Sequence, residues 1–280
     1  MEPRLQRRVQ RYGWDLAAPR YEALWQAQLA PAHQALLEGA SPARGEAVLD
    51  AACGTGLVSL RAAQRVGPNG QVVGVDISGG MVAVAQRHAL ECNSANASFM
   101  RDDLENLALR DASFDVALCS LGLMYMPDAE HALQVMRRVL RPGGRLAIAV
   151  WGPRSRCGWS SAFSIVDTEI ASDVCPLFFR LGESGTLAKL CCGAGFEAVE
   201  ERRIVATLSY SSADEAFAAA FLGGPVALAW ARFDESARDR VRQRYVEAIE
   251  AWRDGQGYEI PSEFVIVTAA VPSLRCRSEP

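Results

Sequence analysis

Between residues 46 and 150 the chain carries five short, mostly apolar runs joined by segments with helical spacing or by turns. They are Ala47–Leu49, Val72–Val75, Ser98–Met100, Phe114–Cys119 and Leu146–Val150. A strand with one wet face alternates apolar and polar residues, whereas one covered on both faces is apolar throughout. Continuous runs therefore predict a parallel sheet between two helical layers, a doubly wound α/β core. Such sheets bind ligands beyond the carboxyl ends of their strands, near the point where strand order reverses. Chemistry is expected in the loops after the runs.

The connections agree with this reading. Gly56 to Val66 has Leu57, Leu60 and Ala63 on one side of a helix, and Gly67-Pro68-Asn69-Gly70 is a turn by composition. Ser78 is placed to cap a helix running to about Glu91. Pro127 and Asp128 open a helix with Ala129, Leu133, Met136 and Leu140 on one face, ending at Arg141-Pro142-Gly143-Gly144.

Past residue 150 the pattern changes. Residues 152–182 are rich in Gly, Ser and Pro and read as irregular. Leu187–Ala194 and Phe196–Leu208 read as one more helix and strand, and 212–255 as two or three helices broken at Gly223-Gly224-Pro225. Phe264–Ala269 then closes the chain as a strand. The expected layout is one domain over 1–280: a helical cap at 1–45, a core from 46–211 and 259–272, and a helical insertion or lid at 212–258.

Composition narrows the partners. A net charge of −4 argues against a general nucleic-acid binder, although Arg4, Arg7, Arg8 and Arg11 cluster near the start. The longest apolar stretch, Ala216 to Ala231, is shorter than the ~18–20 residues of a bilayer helix and is cut by glycine and proline. The early arginines have no apolar segment behind them, so no secretory signal is read and a cytoplasmic location is expected. Eight cysteines without a C-x-x-C pair or a zinc-spaced histidine read as reduced, mostly buried thiols, with no metal site.

The segment from Val48 to Gly56 is a strand feeding a glycine-bearing turn that opens a helix. Glycines let a ligand approach the backbone, and the free N–H groups at a helix start favour an anion. Such a turn serves several nucleotides and can also be purely structural. Ser59 stands where a dinucleotide fingerprint needs its third glycine, and no G-K-[S/T] marks a phosphate loop. Asp76 ends the second run, 22 residues after Gly54, where a carboxylate can accept ribose hydroxyls. Asp103 follows the third run, where an acceptor could meet an adenine amino group.

Five motifs in this order resemble those of class I S-adenosylmethionine-dependent methyltransferases. They are Asp50-Ala51-Ala52-Cys53-Gly54-Thr55-Gly56, Val75-Asp76-Ile77-Ser78 with Met81, Asp102-Asp103-Leu104, Ser113-Phe114-Asp115 and Arg141-Pro142-Gly143-Gly144. The resemblance is to the branch similar to the ubiquinone and menaquinone biosynthesis enzymes. It is strong over 46–151 and moderate over 184–208 and 262–270. It implies a Rossmann-like sheet of seven strands with the last antiparallel, and S-adenosylmethionine as cofactor. The turn with Asp50, Ala52, Gly54, Thr55 and Gly56 would hold the methionine portion, Asp76 the ribose, and Ile77 and Met81 the adenine face. Asp103 and Leu104 would meet the adenine edge and Ser120 the methionine end, while Tyr21 belongs to N-terminal helices that cover the cofactor in similar enzymes. The family often has glycine where Ala52 stands, which implies a slightly shifted loop.

The implied reaction is an in-line displacement on an activated methyl group. Holding two reactants in contact can supply several kcal/mol, roughly 7–11 in the best cases, so no special nucleophile is needed. His33, His131, Tyr21 and Asp15 are candidate bases, with His131 better read as a solvated surface group, and no catalytic residue is assigned. Phe217, Phe221, Trp230, Tyr245 and Trp252, with Tyr12 and Trp14, would line a pocket for a small aromatic or apolar acceptor, or equally glue the insertion to the core. Two alternatives stay open: an RNA or protein methyltransferase, and a non-catalytic cofactor-binding protein.

Overall fold

The computed structural model describes residues 2–170 and 178–273. Helix α1 (Pro3–Ala40) comes first and is unbroken for 38 residues, where the sequence predicted several helices. Pro19 and Pro31 each remove an intrahelical hydrogen bond, but both lie on the exposed side. There the helix can curve and water can meet the freed carbonyl.

The core then alternates as expected: β1 (Ala47–Ala51), α2 (Leu57–Val66), β2 (Gln71–Asp76), α3 (Gly79–Glu91), β3 (Ala97–Arg101), β4 (Phe114–Ser120), α4 (Ala129–Val139) and β5 (Leu140–Trp151). Ser78 and Asp128 cap α3 and α4 with their side chains, as their positions suggested. All five residues of β1 are buried, which is what an apolar run between two helical layers requires. The Arg141-Pro142-Gly143-Gly144 segment, read as a helix end, lies in the irregular start of β5, with Gly143 at φ 76°.

The remaining elements are α5 (Ser161–Glu169), α6 (Thr186–Gly193), β6 (Glu197–Tyr210), α7 (Ala213–Phe221), α8 (Ala227–Arg232), α9 (Glu235–Ile249), β7 (Arg253–Asp254) and β8 (Gly257–Ala270). Two expectations are corrected here. Residues 152–182 contain α5, whose buried Ala162, Phe163, Ile165 and Val166 form a helical face too short to stand out between Ser- and Gly-rich flanks. The closing strand is longer than Phe264–Ala269, because Tyr258, Ile260 and Ser262 point inward and alternate with exposed Glu259 and Pro261.

The sheet order is β3-β2-β1-β4-β5-β8-β6, with β7 paired only to β8. Strands β1 to β5 are parallel, and β8 is antiparallel to both β5 and β6. This agrees with the expected seven-strand path. Strand order reverses between β1 and β4, so a ligand site is expected above their carboxyl ends.

Among the described residues, Cys53, Cys119, Cys157 and Cys191 are buried and Cys92 and Cys192 exposed, all as free thiols. Cys175 and Cys276 lie outside the described residues. No helix there is long and apolar enough to cross a membrane, and no group of three His, Cys, Asp or Glu could hold a metal ion.

Candidate active site

A cavity opens where strand order reverses. Ala52 and Gly54 border it after β1, Asp76 and Ile77 at the end of β2, Asp103 and Leu104 after β3, and Ser120 at the end of β4. The turn is tight: Gly56 N–H donates to the Cys53 carbonyl at 3.0 Å, and Gly54 and Gly56 adopt φ 55° and 87°. Ala52 adopts φ 58°, a left-handed conformation costly for alanine. Asp76 is the centre of the polar end. Its Oδ2 accepts from Gly54 N–H at 2.9 Å and its Oδ1 from Ser78 N–H at 2.8 Å. Burial still pushes its carboxyl up to about 6, against the pull of those N–H groups.

Asp50, Thr55 and Gly56 stand behind this border. Asp50 is 1% exposed, accepts from the Ser59 hydroxyl, and is pushed up to about 7, chiefly by burial. Asp50 Oδ1, Thr55 Oγ1 and Ser120 Oγ are buried with no hydrogen-bond partner among the described residues. Gly56 makes room for Phe99 and Ala85. Asp103 faces the cavity, but its Oδ1 accepts from Glu105 N–H, its Oδ2 from Asn106, and Arg7 Nε lies 3.1 Å away.

Helix α1 covers the cavity with Arg7, Gln10, Trp14, Tyr21, Trp25 and Leu29. It is clipped down at Asp15, whose Oδ1 accepts from Ser78 Oγ at 2.6 Å and Gly80 N–H at 2.9 Å. A second clip joins Arg7 to Glu105, a residue 3% exposed that also accepts from Asp128 N–H. Because β5 lies on the far side of β4 from β2, Trp151 and Trp159 form a wall opposite Asp76. Trp25, Trp151 and Trp159 meet with ring centroids 5.0–5.9 Å apart, and Trp14 meets Tyr21 and Tyr125 edge-on.

Residues 42–170 match the family model described as a methyltransferase domain. Over 171 residues the chain is 34% identical to the ubiquinone/menaquinone biosynthesis C-methyltransferase UbiE of Azotobacter vinelandii, covering 56% of this chain and 68% of that protein. The chain belongs to the class I S-adenosylmethionine-dependent methyltransferases. It is also 35% identical over 134 residues to aklanonic acid methyltransferase DauC of Streptomyces sp. (strain C5), covering 48% of this chain and 61% of that one. The chain thus spans less than two thirds of that relative. The solved structure of the [4+2]-cyclase SpnF superposes with a TM-score of 0.65 at 22% identity, over 96% of this chain and 97% of that one. At that identity the likeness concerns the fold.

Tyr21, Ala52, Gly54, Asp76, Ile77, Met81, Asp103, Leu104 and Ser120 border one cavity. The acceptor residues expected from the insertion do not. Phe217, Phe221, Trp230 and Tyr245 pack on one another and bind α7, α8 and α9 together, because amphipathic helices bury their aromatic faces against each other first. Trp252 lies against Gly158, and Tyr12 is 47% exposed. Only Trp14 of that set lines the cavity, to which the insertion gives Gly224 and Pro225.

Of the candidate bases, Tyr21 lines the cavity and Asp15, His33 and His131 do not. Asp15 is occupied in the α1 clip. His33 is buried away from the cavity and pushed down to about 4, mainly by desolvation. His131 is exposed, with Nε2 2.9 Å from the Glu105 carbonyl. Tyr21 and Tyr125 line the cavity, with hydroxyls pushed well up by burial, so both stay protonated and can donate but not accept a proton as bases. Sequence reasoning missed Trp25, Tyr125, Trp151 and Trp159, which come from separate segments and share no local spacing.

Proposed function

We propose that this protein transfers the methyl group of S-adenosylmethionine to a small, flat, largely apolar acceptor. The observation that carries the reading is the Asp76 carboxylate, held by two backbone N–H groups at one side of a cavity whose opposite side is tryptophan. Each carboxylate oxygen keeps a further lone pair, enough to accept both hydroxyls of a ribose. A Cβ on Gly54 would meet nothing within 4 Å, so the space over the turn is open to a ligand. The unpartnered Ser120 Oγ, on the cavity border, suits the polar amino-acid end of the cofactor, since buried polar groups are as a rule hydrogen-bonded.

The cofactor, when bound, supplies a methyl group already activated on a sulfonium centre. The protein's share is binding, orientation and exclusion of water. Asp76 fixes the ribose, and Ile77, Met81 and Leu104 enclose an apolar ring. Trp25, Trp151 and Trp159 offer flat faces to the acceptor, and α1 closes over both. With Tyr21 and Tyr125 held neutral, the aromatic end favours an acceptor that arrives already deprotonated, attacking through the oxygen or carbon of a phenolate or enolate. The tyrosine hydroxyls are there to orient it.

Calorimetry with S-adenosylhomocysteine tests the cofactor half: one-to-one binding is expected, and neither heat nor thermal shift at millimolar ligand would remove the assignment. Transfer from radiolabelled S-adenosylmethionine to a panel of hydroxylated naphthalenes and anthracenes tests the acceptor half. Label moving instead to RNA or protein would overturn it.

A further inference from the structure

Helix α1 turns one face to the cavity and leaves another bare. Leu5, Tyr12 and Leu16 are 39%, 47% and 45% exposed, and their spacing of seven and four puts them on a single line along the helix. Leu90, Met100 and Val205 are the other large apolar residues so exposed among the described residues, and they sit on separate elements. Half of the exposed large apolar residues thus share one stripe of one helix. Arg4, Arg8 and Arg11 occupy the adjoining stripe, and none of them pairs with an acid among the described residues. The Arg11 guanidinium lies over the Tyr12 ring, 4.5 Å from its centroid. With Arg101 these arginines border a groove that shares Arg7, Ile77, Asp102 and Asp103 with the cavity.

We propose that this face of α1 rests on an anionic membrane surface. The arginines meet lipid headgroups, and Leu5, Tyr12 and Leu16 enter the headgroup–acyl boundary. A net charge of −4 on the whole chain makes so local a concentration of unpaired arginine a directed feature rather than a general stickiness. A nucleic acid would use the arginines and leave the apolar stripe in water; a lipid interface accommodates both. Attachment in the plane of the interface needs no spanning helix, in keeping with the lack of one among the described residues. The groove then faces the bilayer on the side of the cavity that Ile77 and Asp103 border, where the cofactor would lie. That last consequence rests on the proposed methyl transfer, whereas the attachment does not.

The test is co-sedimentation of the full chain with vesicles of phosphatidylcholine alone and of phosphatidylcholine mixed with phosphatidylglycerol. Binding is expected to the anionic vesicles and to weaken as salt is raised. Replacing Arg4, Arg8 and Arg11 by glutamine lowers partitioning about 5-fold for each arginine, the equivalent of about 1 kcal/mol apiece. Leu5→Ser with Leu16→Ser lowers it further at a salt concentration where the charge term is already screened. S-adenosylhomocysteine affinity stays unchanged in both variants, which separates failure of the attachment from failure of the methyl-transfer reading. No binding to anionic vesicles overturns the proposal. So does a leucine double variant that binds like the parent while polyuridylate competes with the vesicles, since the groove would then be a nucleic-acid site.

Discussion

A Cβ built on Gly122 would stand 2.3 Å from the Cβ of Ala52, so the Ala52 methyl fills the space that a side chain at 122 would need. The two residues face each other across the reversal point of the sheet, one after β1 and one after β4. Ala52 holds φ 58°. Glycine there would relieve a left-handed strain of about 1–2 kcal/mol and lose somewhat less through the freer unfolded chain. We expect Ala52→Gly to raise stability by roughly 0.5–1 kcal/mol in urea unfolding. Gly122→Ala should cost about 1–3 kcal/mol by overpacking, and clearly less in the Ala52→Gly background. Equal cost in both backgrounds would mean that the two residues do not press on each other.

Asp76→Asn keeps the shape of the side chain and removes its charge, and one of its oxygens becomes a donor facing N–H groups. S-adenosylhomocysteine binding should weaken by about 1.5–3 kcal/mol, the usual worth of hydrogen bonds to a charged group. Calorimetry on the variant decides it. An unaltered Kd would take Asp76 out of the site.

The carboxyls of Asp50 and Asp76 are pushed up by burial to about 7 and about 6. A carboxyl that holds its proton more tightly folded than unfolded contributes stability that is complete below about pH 4 and is lost as pH rises through 6 and 7. His33, pushed down to about 4, has the opposite sign below the unfolded histidine value of about 6.5. The carboxyl effect is therefore read cleanly above about pH 6.5. Tm of the unliganded protein should fall from there to about pH 8, and Asp50→Asn should flatten the slope. Affinity for S-adenosylhomocysteine should move the other way, rising from about pH 5 to 7 as Asp76 ionises and can accept both hydroxyls. A pH-independent Kd over that range would contradict a proton on Asp76 in the free protein.

Asp15→Ala removes acceptors for Ser78 Oγ and Gly80 N–H and so frees one clip of α1. A loss of about 1–2 kcal/mol is expected, comparable to losing a helix cap, with faster amide exchange in the first half of α1. Asp15→Asn, whose amide oxygen can still accept from both Ser78 Oγ and Gly80 N–H, should recover most of it. If Asp15 were a general base instead, Asp15→Asn would abolish methyl transfer while exchange in α1 stayed slow.

What the sequence alone determined is the part of the site built within a few residues of a strand end. The turn at Ala52 to Gly56, Asp76 with Ile77, and Asp103 with Leu104 each follow an apolar run directly, and a strand in a doubly wound sheet delivers its next residues to the ligand edge whatever the rest of the chain does. Their order, their caps and the parallel sheet were legible for the same reason. The acceptor side was decided by tertiary structure. Trp25, Trp151 and Trp159 come from α1, the end of β5 and the segment before α5, and no periodicity links them. The aromatic residues of α7 to α9 looked equally suited in sequence, yet they bury one another. Amphipathic spacing states that a face is buried, and only packing chooses what buries it.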